Sequence, residues 1–109
     1  MPRKTLGNTT VAVLNAIAGG VQYGFDIMDA TSLASGTVYP ALGRLERQGL
    51  VESRWEDHAR AAAEKRPPRK YYRITGAGTI ALTESARRIA ELGRALRPLV
   101  DGKGPKGGV

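Results

Sequence analysis

The chain has 109 residues, which is enough for one domain with a modest hydrophobic core. Its 17 lysines and arginines outnumber its 10 acidic residues, and the resulting charge of +7 favours a polyanionic partner. The absence of cysteine excludes disulfides, thiolate metal sites and cysteine catalysis, and we expect neither a metal nor another cofactor. No apolar run approaches the ~18 residues of a membrane span, and the N-terminus lacks a signal-peptide pattern, so we expect a cytoplasmic protein without a membrane partner.

A polar arm and a first helix are predicted at the start of the chain. Residues 1–8 are polar and are predicted to be a flexible arm. Thr9 or Thr10 could cap the helix that follows, and Gly19-Gly20 ends it. Apolar residues recur in it at the i, i+3, i+4, i+7 spacing of one helix face. They are Val11, Leu14, Ile17, Ala18 and Val21.

A second, shorter helix is predicted over residues 23–30. Phe25, Ile27 and Met28 are expected in the core, where aromatic and methionine side chains usually lie. Residues 31–34 then leave room only for a tight turn before the next helix. Two helices joined in this way are typical of a helix-turn-helix motif, whose second helix can enter a DNA groove.

The stretch from Ser35 to Leu50 is predicted to be a helix with two distinct faces. Ser35 or Thr37 could cap it, and Pro40 costs a backbone hydrogen bond only if Ser35 is the cap. Gly49, near its end, suits the left-handed backbone conformation with which many helices end. The core-facing stripe is Val38, Leu42, Leu45 and Gly49, and the opposite face carries Tyr39, Gly43, Arg44 and Arg47.

Two antiparallel strands are predicted over residues 50–55 and 70–74. The connection over residues 56–69 is long and basic, and Pro67-Pro68 stiffens its return limb. These features favour a wing that presents cations, with a solvated loop carrying a helical tip at residues 59–63 as the alternative. The cations are Arg60, Lys65, Arg66 and Arg69.

Three aromatic residues of the strands each have two possible roles. Trp55 is predicted to pack against the last helix, and the alternative is that it forms an aromatic wall for a ligand. Tyr71 and Tyr72 are adjacent in one strand, so one is expected in the core and the other exposed. The sequence does not distinguish between them.

The last helix is predicted to begin at a Thr75 cap and to end at Arg97, before Pro98. Its apolar residues follow a heptad spacing over about two and a half repeats. One small domain cannot cover such a stripe, whereas a second copy of the chain can. The predicted dimerisation residues are Leu82, Ile89, Leu92 and Leu96. Residues 101–109 are glycine- and lysine-rich and are predicted to be a disordered tail.

Three motifs in this order resemble the PadR family of bacterial winged-helix transcription regulators. They are Ser35-Gly36-Thr37-Val38-Tyr39-Pro40-Ala41-Leu42 with Arg44-Leu45-Glu46, Gly49-Leu50-Val51-Glu52-Ser53 with Trp55, and Pro68-Arg69-Lys70-Tyr71-Tyr72-Arg73-Ile74-Thr75. The resemblance implies a mainly α fold with a two-stranded wing. A winged helix-turn-helix domain over residues 9–74 would be followed by a dimerisation helix over residues 75–100. It also implies a homodimeric repressor that binds a palindromic operator and is released by a small molecule.

The resemblance places the DNA contacts on the helix from Ser35 and on the wing. Free N–H groups at the helix start suit a phosphate, a tyrosine-proline pair suits a thymine methyl or a sugar, and Arg44 suits a guanine. Wing cations suit phosphates. The predicted DNA-binding residues are Ser35, Gly36, Thr37, Tyr39, Pro40, Arg44, Arg47, Arg66, Arg69 and Lys70. The family's larger members have a long C-terminal domain that this chain lacks, so an effector would bind within or between the small domains.

Other functions agree less well with the residues. A protein-interaction module on the same fold should display apolar residues on the outer face of the helix from Ser35. The residues predicted there are instead Thr37, Tyr39, Arg44 and Arg47. Binding of RNA or DNA through charge alone would not require a capped, proline-stiffened helix. Glu56-Asp57-His58 is a poor acid-base cluster because adjacent loop residues point in different directions. An enzyme is therefore not expected.

Overall fold

The computed structural model describes residues 5–100 of the chain, and the side chains of residues 5–98. These residues form five helices and one two-stranded antiparallel sheet, which confirms the predicted mainly α fold with a wing. The elements are α1 (Asn8–Ala18), α2 (Gly24–Thr31), α3 (Ser35–Arg47), β1 (Val51–Trp55), α4 (His58–Ala63), β2 (Lys70–Ile74) and α5 (Gly76–Val100).

The core lies where α1, α2 and α3 pack against the sheet. Its largest fully buried side chains are Val13, Leu14, Ile27, Val38, Leu42 and Leu45. Met28 packs against this core as predicted, but Phe25 is 73% exposed, so its predicted core position is wrong. Phe25 and Ile27 are two residues apart, which separates them by about 200° around a helix, and only one of them can face inward.

The starts of α1 and α3 differ from those predicted. Gly7 precedes α1 and Ala34 precedes α3, and neither provides a side-chain cap. Thr10 is buried inside α1 instead of capping it. Pro40 therefore lies inside α3, where the Gly36 carbonyl loses its helical partner. Hydrophobic burial of the inner face decides where these helices begin, and it outweighs the local capping preference.

The end of α3 follows the prediction. Gly49 has a φ of +73°, the left-handed conformation that glycine adopts at low cost. The Leu50 N–H then donates to the Leu45 carbonyl at 2.9 Å, which closes the helix. The chain is thereby turned directly into β1.

The two strands pair with Val51 opposite Ile74, Ser53 opposite Tyr72 and Trp55 opposite Lys70. Tyr72 is the buried tyrosine and Tyr71 is half-buried, which settles the alternative left open by the sequence. The Tyr72 N–H donates to the Gln22 carbonyl at 2.7 Å. The connection between α1 and α2 is therefore attached to the edge of the wing.

Thr75 caps α5 as predicted, because its hydroxyl oxygen accepts from the Gly78 N–H at 3.0 Å. The helix continues through Pro98 to Val100, so its predicted end at Arg97 is wrong. A proline in the last turn costs only one hydrogen bond, and its φ is compatible with a helix. Leu82 packs partly against the core, whereas Ile89, Leu92 and Leu96 are exposed in the single chain.

The structure describes residues 5–8 of the predicted arm and none of the predicted tail. Residues 1–4 and 101–109 lie outside the described residues. Leu6 packs against the core, and its carbonyl accepts from the Arg88 guanidinium at 2.9 Å. The predicted boundary of the arm at residue 8 is therefore too far along the chain. Among the described helices, none combines the length and apolar character that crossing a membrane requires.

Candidate nucleic-acid interface

The outer face of α3 is a narrow strip of four residues opposite the core: Gly36, Pro40, Gly43 and Arg47. Their spacing of four, three and four residues places them on one side of the helix. Gly36 has open space around it, and the Arg47 guanidinium lies over Gly43, 3.2 Å from where a β-carbon would be. Three of the four residues are small or rigid, so the α3 backbone can approach a partner closely.

The first turn of α3 offers two backbone donors. The N–H groups of Thr37 and Val38 donate to the Ala34 carbonyl at 2.9 and 3.0 Å. Within the described part of the chain, those of Ser35 and Gly36 have no such partner and lie at the positive end of the helix dipole. In this turn, the N–H groups of Ser35 and Gly36 are therefore available to an outside acceptor, whereas that of Thr37 is already bonded.

Tyr39 lies on the wing side of the outer strip and is 51% exposed. Its ring rests on Gly24, the buried first residue of α2. A β-carbon at Gly24 would lie 2.6 Å from the Tyr39 hydroxyl oxygen, so only glycine leaves room for this ring position. The sequence analysis did not identify Gly24 as part of the site. A glycine directly before an aromatic residue at a helix start could have indicated it.

Arg44 lies on the other flank of the strip, toward α1. Its guanidinium donates to the Thr10 hydroxyl oxygen at 2.9 Å. Arg44 and Arg47 are three residues apart, which separates them by about 60° around the helix. Arg47 is exposed, and no described acidic side chain forms an ion pair with it. Both arginines are exposed, but Arg44 also contacts α1, whereas Arg47 lies on the outer strip.

A buried carboxylate closes the base of the wing. Glu56 is only 7% exposed and accepts from both terminal nitrogens of Arg66, at 2.5 and 2.8 Å. It also accepts from the Tyr71 hydroxyl at 3.1 Å and the Arg69 N–H at 3.3 Å. The Arg66 guanidinium, aided by these further donors, lowers the pKa of Glu56 from 4.5 to about 2. Arg66, predicted to be a free wing cation, is thus committed to an internal ion pair.

Lys70 and Arg69 are also held in place. The Lys70 ammonium lies 3.4 Å from a Glu46 oxygen and 5.8 Å from the centre of the Trp55 ring. The hydrogen bond from the Ser53 hydroxyl, followed by the charge of Lys70, holds the pKa of Glu46 below its usual value. The Arg69 guanidinium stacks 4.4 Å from the centre of the Tyr23 ring. The wing is therefore fixed against both α3 and the start of α2.

The outer part of the wing is helical. Asp57 caps α4 by accepting from the Ala59 N–H at 2.9 Å, and Ala61 is buried. The helical tip considered in the alternative interpretation is therefore present. Arg60 and Lys65 are exposed there, so the wing still presents cations.

Trp55 does not pack against α5, so the preferred prediction for this residue is wrong. It is 64% exposed and lines a groove between the wing and the starts of α2 and α3. The pairing of Trp55 with Lys70 places the ring at the far end of the sheet, away from the point where Thr75 begins α5.

The predicted site residues fall into three groups. Tyr39, Lys70 and Arg69 lie around one groove, and Arg47 lies with the small residues of the outer strip. Arg44 is exposed but donates to Thr10, and Arg66, which also lines the groove, is paired with Glu56. Contacts between residues far apart in sequence decide this division.

Comparison with known proteins identifies the fold and the family. The sequence model of the transcriptional regulator PadR-like family matches residues 13–84. The transcriptional regulator Rv3488 of Mycobacterium tuberculosis is 42% identical over 62 residues, which are 57% of this chain and 52% of that protein. The match therefore spans about half the length of this curated relative.

Solved structures give the same result for the fold. A PadR family regulator from Clostridium difficile R20291 superposes with a TM-score of 0.74 at 21% identity, covering 86% of this chain and 99% of that one. A PadR-like transcription factor from Bacteroides fragilis gives a TM-score of 0.67 at 26% identity, covering 83% and 87%. The matched proteins are transcription regulators and not enzymes. Because the family match covers more than half of the sequence, the chain belongs to the PadR-like family of transcriptional regulators.

Proposed function

We propose that this regulator is a homodimeric repressor that binds a palindromic operator through α3 and the wing and is released by a small molecule. The observation that supports this most directly is the outer strip of α3. It is narrow enough for a major groove, three of its four residues are exposed, and it lies beside a wing that presents the exposed cations Arg60 and Lys65.

Within this proposal, Arg47 and Tyr39 are the side chains that read bases. Arg47 lies on the outer strip without an ion-pair partner among the described residues, and a free guanidinium can donate two hydrogen bonds to guanine. Tyr39 offers a ring and a hydroxyl from the wing side. Pro40 supplies flat apolar surface between them. Arg44 is exposed but lies on the flank of the strip and already donates to Thr10, so it is the weaker candidate.

Contacts to the DNA backbone would come from two parts of the protein. The free N–H groups of Ser35 and Gly36 suit a phosphate oxygen at the start of α3. Arg60, Lys65 and Arg69 suit phosphates beside the wing, where they position the protein without reading sequence. Arg66 supports these contacts indirectly because its pair with Glu56 fixes the shape of the wing.

The proposed dimer uses the exposed face of α5. Ile89, Leu92 and Leu96 are exposed, and an apolar groove of about 390 Å³ continues this face between α1 and α5. A stripe of this kind is expected to be covered by a second copy. Two-fold symmetry would then present two copies of α3 to a palindromic site.

The proposal is tested by selecting bound duplexes from random DNA at about 0.15 M salt, where non-specific binding is partly screened. We expect a palindromic consensus with half-site centres about 10 base pairs apart. Enrichment without a consensus would favour a charge-driven nucleic-acid binder, and no enrichment would favour an interaction module. Either outcome would reject sequence-specific binding.

A further inference from the structure

The sheet has a free edge, which is the side of β1 that faces away from β2. On its own far side, β2 is covered, because the Tyr72 N–H donates to the Gln22 carbonyl and Tyr23 bridges to Tyr71. Among the described strands, β1 pairs with β2 alone. An edge of this kind presents backbone N–H and C=O groups that can pair with another strand.

The hydrogen bonds at the two ends of β1 show which of its backbone groups are free. The Thr75 N–H donates to the Leu50 carbonyl at 3.0 Å, and the Glu56 N–H donates to the Arg69 carbonyl at 2.7 Å. The even-numbered residues of β1 therefore direct their backbone groups toward β2, and the odd-numbered residues direct theirs away. The residues along the free edge are Val51, Ser53 and Trp55. No other described segment hydrogen-bonds to their backbone groups.

The side chains of β1 match a second copy of the strand in one antiparallel register. A two-fold axis at Ser53 would bond the odd-numbered residues to one another and place each Glu52 opposite Arg54 of the second copy. Both side chains are exposed, and no described acidic side chain forms an ion pair with Arg54. Residues opposite each other in this way have Cα atoms about 4.5 Å apart, which lets their charges attract. Because Glu52 also pairs with Arg73 at 3.4 Å, the second copy would extend a row of alternating charge.

Charge and hydrogen bonding disfavour the neighbouring antiparallel registers. A shift by two residues would place Glu52 opposite Glu52, or Arg54 opposite Arg54, and like charges directly opposite destabilise a strand pair. A shift by one residue would bring free backbone groups against groups already bonded to β2. Charged residues often protect an edge strand from pairing, whereas the two opposite charges here favour one symmetric pair.

We propose that β1 is an interaction surface for a second copy of this chain, which pairs with it edge to edge with Ser53 of each copy at the two-fold axis. Five residues per strand form a small contact, so it acts between copies that are already held close together. The regulatory consequence rests on the proposed function. Each α5 dimer would carry two β1 edges, so the contact would link neighbouring dimers on one DNA and make their binding cooperative.

Cysteine trapping tests the register, because the chain has no cysteine of its own. The full chain is prepared as Glu52→Cys and as Arg54→Cys, and the two variants are oxidised with diamide separately and as an equal mixture. The register places position 52 of one copy opposite position 54 of the other, whereas two identical positions are offset by about 7 Å along the strand, too far for a disulfide. We expect the mixed disulfide to form about tenfold faster than either symmetric one. Equal rates overturn the inference.

Charge reversal tests the partner. Arg54→Glu and Glu52→Arg each place like charges opposite when identical chains pair. Mixing these two variants restores both attractions, and so does the double variant Glu52→Arg/Arg54→Glu, whose net charge equals that of the unaltered chain. Sedimentation at several hundred micromolar and low salt should show about tenfold weaker association for each single variant than for the unaltered chain, the mixture and the double variant. Equal association by all of them overturns the inference, as does no association of the unaltered chain beyond the α5 dimer.

Cooperativity is tested separately, with duplexes that carry two copies of the selected site at a series of spacings. The unaltered chain should bind cooperatively at one or more spacings, Arg54→Glu should bind the two sites independently, and the double variant should regain cooperativity. Independent binding by the unaltered chain at every spacing overturns the regulatory consequence. If the protein binds no duplex at all, the proposed function fails while the trapping result for the strand pair stands.

Discussion

At the scale of single residues, the structure separates groups that hold the protein together from groups that face outward. Glu56 and Arg66 illustrate the first class. Their two-point ion pair joins the start of the wing to its end, ten positions further along the chain. A buried carboxylate with this many donors stabilises the fold only while it is ionised.

The pair makes stability depend on pH in a defined window. The pKa of Glu56 is about 2 in the folded protein against an ordinary value of 4.5, so the native state favours the ionised form. Its contribution is fully present above pH 4.5 and is lost as the pH falls toward 2. We expect Glu56→Gln to lower the melting temperature at pH 7 and to approach the wild type at pH 2.

Thermal melts from pH 2 to pH 7 measure this difference. Glu52→Gln is the control, because Glu52 forms a 3.4 Å pair with Arg73 in which both side chains are exposed. It should change the melting temperature little at any pH. A Glu56→Gln effect of equal size across the range would contradict the role given to the ion pair.

Two glycines provide a second contrast at this scale. A β-carbon at Gly24 would meet the end of the Tyr39 side chain, which can swing away, whereas one at Gly78 would meet the Leu50 backbone carbonyl, which cannot. We expect Gly24→Ala to leave the fold nearly unchanged and to weaken operator binding as Tyr39→Ala does. Gly78→Ala should lower the free energy of unfolding by about 1–3 kcal/mol. Each kcal/mol corresponds to a fall of roughly 4–8 °C in the melting temperature.

Melting curves and duplex titrations on both variants check these expectations. If Gly24→Ala lowers the melting temperature as much as Gly78→Ala does, the contact of the Tyr39 ring with Gly24 is required for the stability of the fold. Normal duplex affinity in Gly24→Ala would show that the position of the ring does not matter for DNA.

At the scale of elements, side-chain contacts join α3 to the wing. Ser53 and Lys70 both contact Glu46, which joins the two strands to α3. Arg69 and Tyr23 join the wing to the start of α2. Because these links fix the wing beside α3, base reading and backbone contact can be assigned to separate residues and tested separately.

We expect Arg47→Ala to cost about 1–3 kcal/mol on the selected operator and much less on random DNA, since a base contact is lost. Lys65→Ala should weaken both duplexes alike and reduce the salt slope by about 0.9, since a phosphate contact is lost. Titrations against both duplexes at several salt concentrations distinguish these outcomes. Arg87→Ala, an exposed arginine of α5 away from α3 and the wing, is the control. Parallel losses on both duplexes for Arg47→Ala would reject its role in reading.

At the scale of the whole molecule, the chain is extended by α5. The radius of gyration of the Cα atoms is 17.8 Å, compared with about 13 Å for a compact chain of this length. The second half of α5 leaves Leu92 and Leu96 exposed in the single chain. This shape favours a partner along α5.

We expect Ile89→Lys to convert the proposed dimer into a monomer, because symmetry would place two lysines against one apolar seam. Ile80→Lys is the matched control, since nine residues place Ile80 on the opposite side of the helix. Sedimentation at micromolar concentration measures the association. A wild-type monomer under these conditions, or a dimer that survives Ile89→Lys, would rule out this seam.

Much of the fold could be predicted because its signals are local. The 3.6-residue spacing in α1 and α3, the alternation in the strands and the Thr75 cap each depend on residues close in sequence. The motifs around Tyr39 and Tyr72 were enough to indicate the family. Gly49 was correctly predicted to adopt a left-handed conformation for the same reason.

Only the tertiary structure decided which charged and aromatic side chains are available. Arg44 meets Thr10 across 34 positions, and Arg66 meets Glu56 across 10, so no local pattern shows that either is engaged. Phe25 is exposed because Ile27 takes the inward position of α2. Trp55 lies on the same face of β1 as the buried Val51, but at the other end of the sheet, beyond the residues that cover Val51. The sequence by itself determined the elements and the positive charge. Packing between distant segments determined which of those charges and rings face a partner.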